Sequence, residues 1–248
     1  MIFWYIFLFV LVFIFLIILI FGYPRKKSDR KSNMEGIDNP EVAKAFERMT
    51  KILPFRLLHR KIVSKLGEFD LSGRLVDLGC GIGNIILRIA TKFPDLNLVG
   101  VDISSEILKR AKEYIKEKIP EKEIEFKIGN AEELPFPDNS VDFAISTFSL
   151  HHWLDPIKVF HEIYRILKKD GRFIIFDFRR DSRKFFYGFF TFVTKVIVPK
   201  SLKKVNEPFD SLQSGYTPNE IIQFLDQSPF NDIEISPFLA WMFIIGKK

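Results

Sequence analysis

Cysteine is nearly absent. Cys80 is the single one in 248 residues, so no internal disulfide can form. Histidine is scarce as well, at His59, His151, His152 and His161, and no Cys/His/Asp/Glu spacing reads as a zinc site. No Gly-x-Ser-x-Gly turn and no serine-triad order is visible, which removes the common serine hydrolases. Internal repeats and low-complexity segments are missing, apart from a bias to phenylalanine, with 28 residues. Hydrophobic content of 47% against 27% charged residues implies a packed core. The net charge of +6 fits nucleic acid, anionic lipid or plain solubility, and its distribution has to decide.

Charge is wholly missing from Met1 to Tyr23, MIFWYIFLFVLVFIFLIILIFGY. About 20 helical residues at ~1.5 Å each cover the ~30 Å hydrocarbon layer of a bilayer. A secretory signal would carry a basic start, a shorter apolar run and a small-residue cleavage site, none of which is present. The expectation is an uncleaved single-pass signal anchor over 1–23, with Trp4, Tyr5 and Tyr23 near the interfaces. Five of the seven residues Arg25–Lys31 are basic. That flank puts the rest of the chain on the cytoplasmic side of the membrane. The cluster suits anionic headgroups, or serves only as a solvated flank. Residues 24–38 read as a basic polar tether and 39–248 as the globular domain.

Helical spacing starts at Pro40, with Val42, Ala45, Phe46, Met49, Ile52 and Leu53, and a second helix carries Leu57, Leu58, Ile62, Val63 and Leu66 up to Gly67. From Arg74 short apolar runs alternate with helices. RLVDLG, NLVGVD, IEFKIG, VDFAIS and GRFIIFDF are strands. The helices between them include Asn84–Phe93, Glu106–Lys118 and Pro156–Lys168. This order predicts an α/β fold with right-handed crossovers and a parallel sheet covered on both faces. After a helix at Pro218–Leu225, DIEIS and AWMFIIGKK lie too close for a crossover and predict an antiparallel hairpin at the sheet edge.

LVDLGCGIGN, Leu75–Asn84, runs from the first strand through a glycine-rich turn into its helix. Such a loop lets backbone amides and a helix N-terminus approach an anionic group at the carboxyl ends of the strands. A dinucleotide fingerprint wants Gly-x-Gly-x-x-Gly, but Asn84 stands at the third glycine position and the glycine is at Gly83. Asp102 closes the second strand, where a carboxylate can accept from both ribose hydroxyls; Ser104 is the better N-cap for the next helix.

LVDLGCGIGN, VGVDIS, GNAEELPFPDNSVDFAIS, LHHWLDP and EIYRILKKDGRFIIFDF stand in an order that resembles class I S-adenosylmethionine-dependent methyltransferases, above all those of ubiquinone and menaquinone biosynthesis. The resemblance implies a Rossmann-like, seven-stranded, mostly parallel sheet ending in an antiparallel hairpin, with S-adenosyl-L-methionine as cofactor. It implies that Asp77, Gly79, Gly81 and Gly83 hold the methionine end, Asp102 the ribose and Ile103 the adenine face. Asn130 and Ala131 would meet the adenine edge, and Ser146 would offer its backbone near the sulfonium. The family usually has aspartate at the position of Asn130, so this chain lacks that charge.

Methyl transfer is an in-line displacement in which the enzyme aligns an acceptor and excludes water. A base is needed only if the acceptor must lose a proton. His151 and His152 are the catalytic candidates; the alternative is that the pair only orients its loop. His59 and His161 read as ordinary helix residues. FFYGFFTFVTKVIVP, Phe185–Pro199, is too short for a span and stands where the family builds part of its acceptor pocket. It reads either as a helix in the membrane interface or as a core-packing lid. The expected partners are a small or lipid-like acceptor and a membrane, reached through the N-terminal helix. No nucleic acid is expected, because the densest basic cluster abuts the apolar segment. A non-catalytic S-adenosylmethionine-binding protein and a Rossmann-type nucleotide enzyme remain alternatives. The methylated atom stays open, since O, N and C methylation share this scaffold.

Overall fold

The computed structural model describes residues 2–22, 24–26, 28–31, 40–50 and 53–248. Three helices come first: α1 (Ile2–Phe21), α2 (Pro40–Thr50) and α3 (Leu53–Leu66). The alternating part follows as β1 (Arg74–Leu78), α4 (Asn84–Lys92), β2 (Asn97–Asp102), α5 (Ser105–Lys118), β3 (Glu125–Ile128), β4 (Val141–Thr147), α6 (Pro156–Ile166) and β5 (Leu167–Phe178). The insert holds α7 (Lys184–Phe192), a π-helical turn (Val193–Ile197), α8 (Lys200–Lys204) and α9 (Phe209–Ser214). Helix α10 (Pro218–Leu225) leads to β6 (Asp232–Phe238) and β7 (Trp241–Lys247).

The strands form one seven-stranded sheet in the order β3-β2-β1-β4-β5-β7-β6. All pairs from β3 to β5 are parallel, while β7 runs antiparallel to both β5 and β6. The chain therefore reverses its winding between β1 and β4, and the crevice of such a sheet lies beyond the carboxyl ends of those strands. The expected α/β fold and terminal hairpin are both present.

Alternation on β5 builds the core on both faces. Phe173 and Ile175 join Val76, Leu78, Phe160 and Met242 on one side. Ile174 and Phe176 join Leu75, Ile86, Ile145 and Phe243 on the other. Local signals set the helix starts: Ser104 Oγ accepts from the Ile107 amide, and Thr217 and Glu220 make a capping box. One boundary differs from the sequence expectation. Helix α6 stops at Ile166, because Leu167 turns extended and pairs with Val141 while Lys168 reaches back to Asp142.

The membrane span is a correction. Among the described residues no helix is long and apolar enough to cross a membrane. The segment is helical over Ile2–Phe21. Met1 and Tyr23 lie outside the described residues. The single-pass anchor, the membrane partner and the placement on a cytoplasmic face are accordingly withdrawn.

The polar stretch that follows is docked on the domain. Arg25 pairs with Asp181 at 3.2 Å, the Lys26 amide donates to the Ser182 carbonyl, and Lys26 Nζ lies 4.0 Å over the Tyr187 ring. Further along, Arg180 Nε donates to the Ser28 carbonyl.

Candidate active site

Strand β1 delivers the glycine loop. Asp77, its penultimate residue, is fully buried, and its Oδ1 has no hydrogen-bond partner among the described residues. Burial, and then the nearby Asp102 carboxylate, push its pKa up to about 8. The amides of Gly79 and Cys80 both donate to the Val101 carbonyl, which ties the loop to β2. Two glycines are needed for different reasons. Gly79 has φ +71° and a Cβ there would come within 2.2 Å of Ser149 Oγ. Gly81 has φ +52° but a Cβ would meet nothing within 4 Å, so this position faces open space. Gly83, also left-handed, caps α4.

Asp102 binds the loop from the next strand end. Its Oδ2 accepts from the Gly81 amide at 2.9 Å and its Oδ1 from the Ser104 amide at 3.0 Å. An ionised carboxylate has about four acceptor positions, so further hydroxyls can still be received. Ile103 beside it is 71% exposed, an apolar side chain with no cover of its own. Asn130 and Ala131 follow β3; the Asn130 Oδ1 accepts from the Glu132 amide at 3.0 Å, so only part of the amide faces outward. Ser146 on β4 is buried and its Oγ donates to the Leu78 carbonyl at 2.8 Å. The nine residues assigned to the cofactor thus collect around the carboxyl ends of four neighbouring strands. Their chemistry fits S-adenosylmethionine: a lone buried carboxylate for an ammonium group, an open glycine cradle, a carboxylate for a ribose and an uncovered apolar face.

His151 and His152 form a short 3₁₀ turn after β4, with ring centroids 3.9 Å apart. His151 Nδ1 is 2.7 Å from Asp177 Oδ1, and the His151 amide donates to Asp177 Oδ2 at 3.1 Å. Both side chains are buried. Arg30 closes the turn from outside, donating to the His151 and Ser214 carbonyls at 2.8 Å each while its guanidinium lies 4.2 Å over Tyr216.

Beside this turn lies an aromatic cluster. Phe148 has φ +55°, a left-handed backbone uncommon for a bulky residue. Its ring packs against Phe55, Phe176 and Phe178 at 6.0, 5.3 and 5.1 Å. Trp241 touches Phe178, Phe186 and Phe190, and its buried Nε1 has no partner among the described residues. Helix α7 buries Phe186, Tyr187 and Phe190 against the domain and leaves Phe189 and Phe192 exposed.

Residues 76–175 match the family described as "Methyltransferase domain". The ubiquinone/menaquinone biosynthesis C-methyltransferase UbiE of Rickettsia felis is 30% identical over 185 residues, covering 72% of this chain and 74% of that protein. The chain belongs to this methyltransferase family. It is an S-adenosylmethionine-dependent enzyme. Solved structures agree in fold. An S-adenosyl-L-methionine-dependent methyltransferase of Methanococcus maripaludis has a TM-score of 0.65 at 21% identity, covering 90% of this chain and 96% of that one. Phosphoethanolamine N-methyltransferase 2 of Haemonchus contortus, in complex with S-adenosyl-L-methionine, has a TM-score of 0.62 at 19% identity, covering 86% and 59%.

Sequence reasoning about this methyltransferase missed Asp177, Phe148, Arg30 and Trp241. Asp177 had a signal, a lone acid inside the apolar run FIIFDF. Arg30 had none, since its bond to His151 spans 121 residues.

Proposed function

We propose that this methyltransferase places a methyl group on a ring carbon of a lipophilic, quinol-type acceptor. The observation that carries the proposal is the buried His151–Asp177 pair beside an aromatic cluster. Methylation of a ring carbon has to remove protons from the acceptor, and a carboxylate-oriented imidazole is suited to take them. The relative from Rickettsia felis is named as a C-methyltransferase of ubiquinone and menaquinone biosynthesis, which agrees in acceptor class.

Each residue then has a task. Asp77 receives the methionine ammonium, and Gly79, Gly81 and Gly83 allow close backbone approach to the same end. Asp102 accepts from the ribose hydroxyls, Ile103 covers the adenine face, and Asn130 and Ala131 meet its edge. The Ser146 backbone would lie near the sulfonium of the bound cofactor. S-adenosylmethionine, when bound, supplies a methyl group whose carbon–sulfur bond breaks with the electron pair staying on sulfur. Asp177 holds the proton on His151 Nδ1, which leaves the lone pair on Nε2. His151 Nε2 takes the ring hydroxyl proton, and the ring carbon uses the released electron density to bond the methyl group. That same carbon then gives its proton to solvent, which restores the aromatic ring, and the ring oxygen takes back the proton held on His151 Nε2. His152, in ring contact with His151, orients the turn. Phe148, Phe178 and Phe55 stack around the acceptor ring, and Trp241 Nε1 donates to one of its oxygens.

The test incubates the full chain with S-adenosylmethionine and a reduced short-chain naphthoquinone. S-adenosylhomocysteine release with a new carbon-bound methyl, located by NMR, is the expected result. Turnover that methylates only oxygen or an added phosphoethanolamine would replace the proposal with another acceptor class.

A further inference from the structure

On the flank of the domain α3, α4 and α5 line a cleft of about 690 Å³ that starts at Asn84, the residue closing the glycine loop. Each helix contributes a pair of side chains one turn apart: Arg56 and Arg60, Arg88 and Lys92, Tyr114 and Lys118. None of the described residues lining the cleft is acidic. Lys118 pairs with Glu117 and Lys92 Nζ lies 3.5 Å from the Val63 carbonyl. Arg56, Arg60 and Arg88 have no carboxylate partner among the described residues.

This arrangement is unfavourable for the chain alone. Two like-charged i,i+4 pairs face one space, and such pairs destabilise a helix. Burial, then Arg56 and Arg60, hold the half-buried Arg88 below the ordinary arginine range. The excess field reaches inward: His59, buried behind the cleft, is lowered to about 4 by burial and then by Arg88. An anion seated between the helices would remove the repulsion, and the planar forks of three arginines match phosphate oxygens. The cations of the cleft stand apart from the cofactor residues. Arg88 and Lys92 lie roughly 8 and 14 Å along α4 from Gly83, on the flank rather than at the crevice.

We propose that the α3–α4–α5 cleft binds a phosphate group carrying at least two negative charges, either on a soluble ligand or on a lipid headgroup.

The probes are sodium tripolyphosphate and vesicles of phosphatidylcholine with and without phosphatidic acid, each added to the full chain. Tripolyphosphate should raise Tm more than sodium sulfate at matched ionic strength. Arg56→Ala and Arg88→Ala should each weaken it by about tenfold, close to 1.4 kcal/mol. Both variants should keep the Tm of the anion-free protein or raise it, and S-adenosylhomocysteine affinity should not change. Arginine-dependent binding to tripolyphosphate alone assigns the phosphate to a soluble ligand; arginine-dependent binding to phosphatidic acid vesicles assigns it to a headgroup. An equal response to sulfate with no arginine-dependent vesicle binding, or anion binding that survives both substitutions, overturns the proposal.

Discussion

His151 and Asp177 are joined twice, through Nδ1 at 2.7 Å and through the His151 amide at 3.1 Å. The carboxylate therefore fixes both the ring and the backbone of the turn that follows β4. Replacing Asp177 by Asn keeps the size but lets the amide favour the wrong imidazole tautomer. The expected result is a fall in kcat of about a hundredfold or more with KM for the acceptor little changed. His151→Ala should lose at least as much, and His152→Ala less. Near-wild-type rates for His151→Ala would remove the base from the mechanism.

Asp77 carries a proton at neutral pH in the ligand-free protein, since its pKa is raised to about 8. A cationic ammonium beside it favours the ionised form. Binding of S-adenosylhomocysteine near pH 7 should release a proton, seen as a calorimetric enthalpy that varies with the buffer. In Asp77→Asn the proton release should vanish. The same shift has a sign for stability. The native state holds the proton where the unfolded state has lost it, so this contribution is complete below about pH 4 and declines as pH rises towards 8.

Gly79 and Gly81 separate fold from cradle. Gly79→Ala meets Ser149 Oγ and a left-handed backbone together, and should destabilise by about 2 kcal/mol or more in urea unfolding. Gly81→Ala meets only the backbone cost of about 1 kcal/mol but projects a methyl into open space. Its S-adenosylhomocysteine affinity should drop by about tenfold or more. Unchanged affinity would show that the cofactor does not approach Gly81.

Trp241→Phe keeps the aromatic packing and removes the buried Nε1 donor. The fold should survive, because no protein bond is lost among the described residues. KM for a quinol acceptor should rise about tenfold, while KM for S-adenosylmethionine should not move.

His59 is buried and lowered to about 4, so it stays neutral in the fold while the unfolded chain protonates near 6.5. Its contribution is present above about pH 6.5 and is lost as pH falls towards 4, by up to ~3 kcal/mol. His59→Leu should flatten that part of the stability profile in urea titrations between these two pH values.

The glycine loop, Asp102, the Ser104 cap and the closing hairpin were readable because each is a local matter. A strand ending in glycines, an acid at the next strand end and two strands with no room for a crossover state their geometry within a few residues. The N-terminal run shows the limit of such reading. Absence of charge over 23 residues predicted a span, yet no helix among the described residues is long and apolar enough for one. What the tertiary structure alone decided is which distant groups meet. Arg30 and Asp177 reach His151 across 121 and 26 residues, Trp241 joins Phe178 through an antiparallel register, and α3, α4 and α5 turn their cations into one cleft. Those meetings depend on strand order and helix rotation, which arise from packing the whole sheet rather than from any single segment.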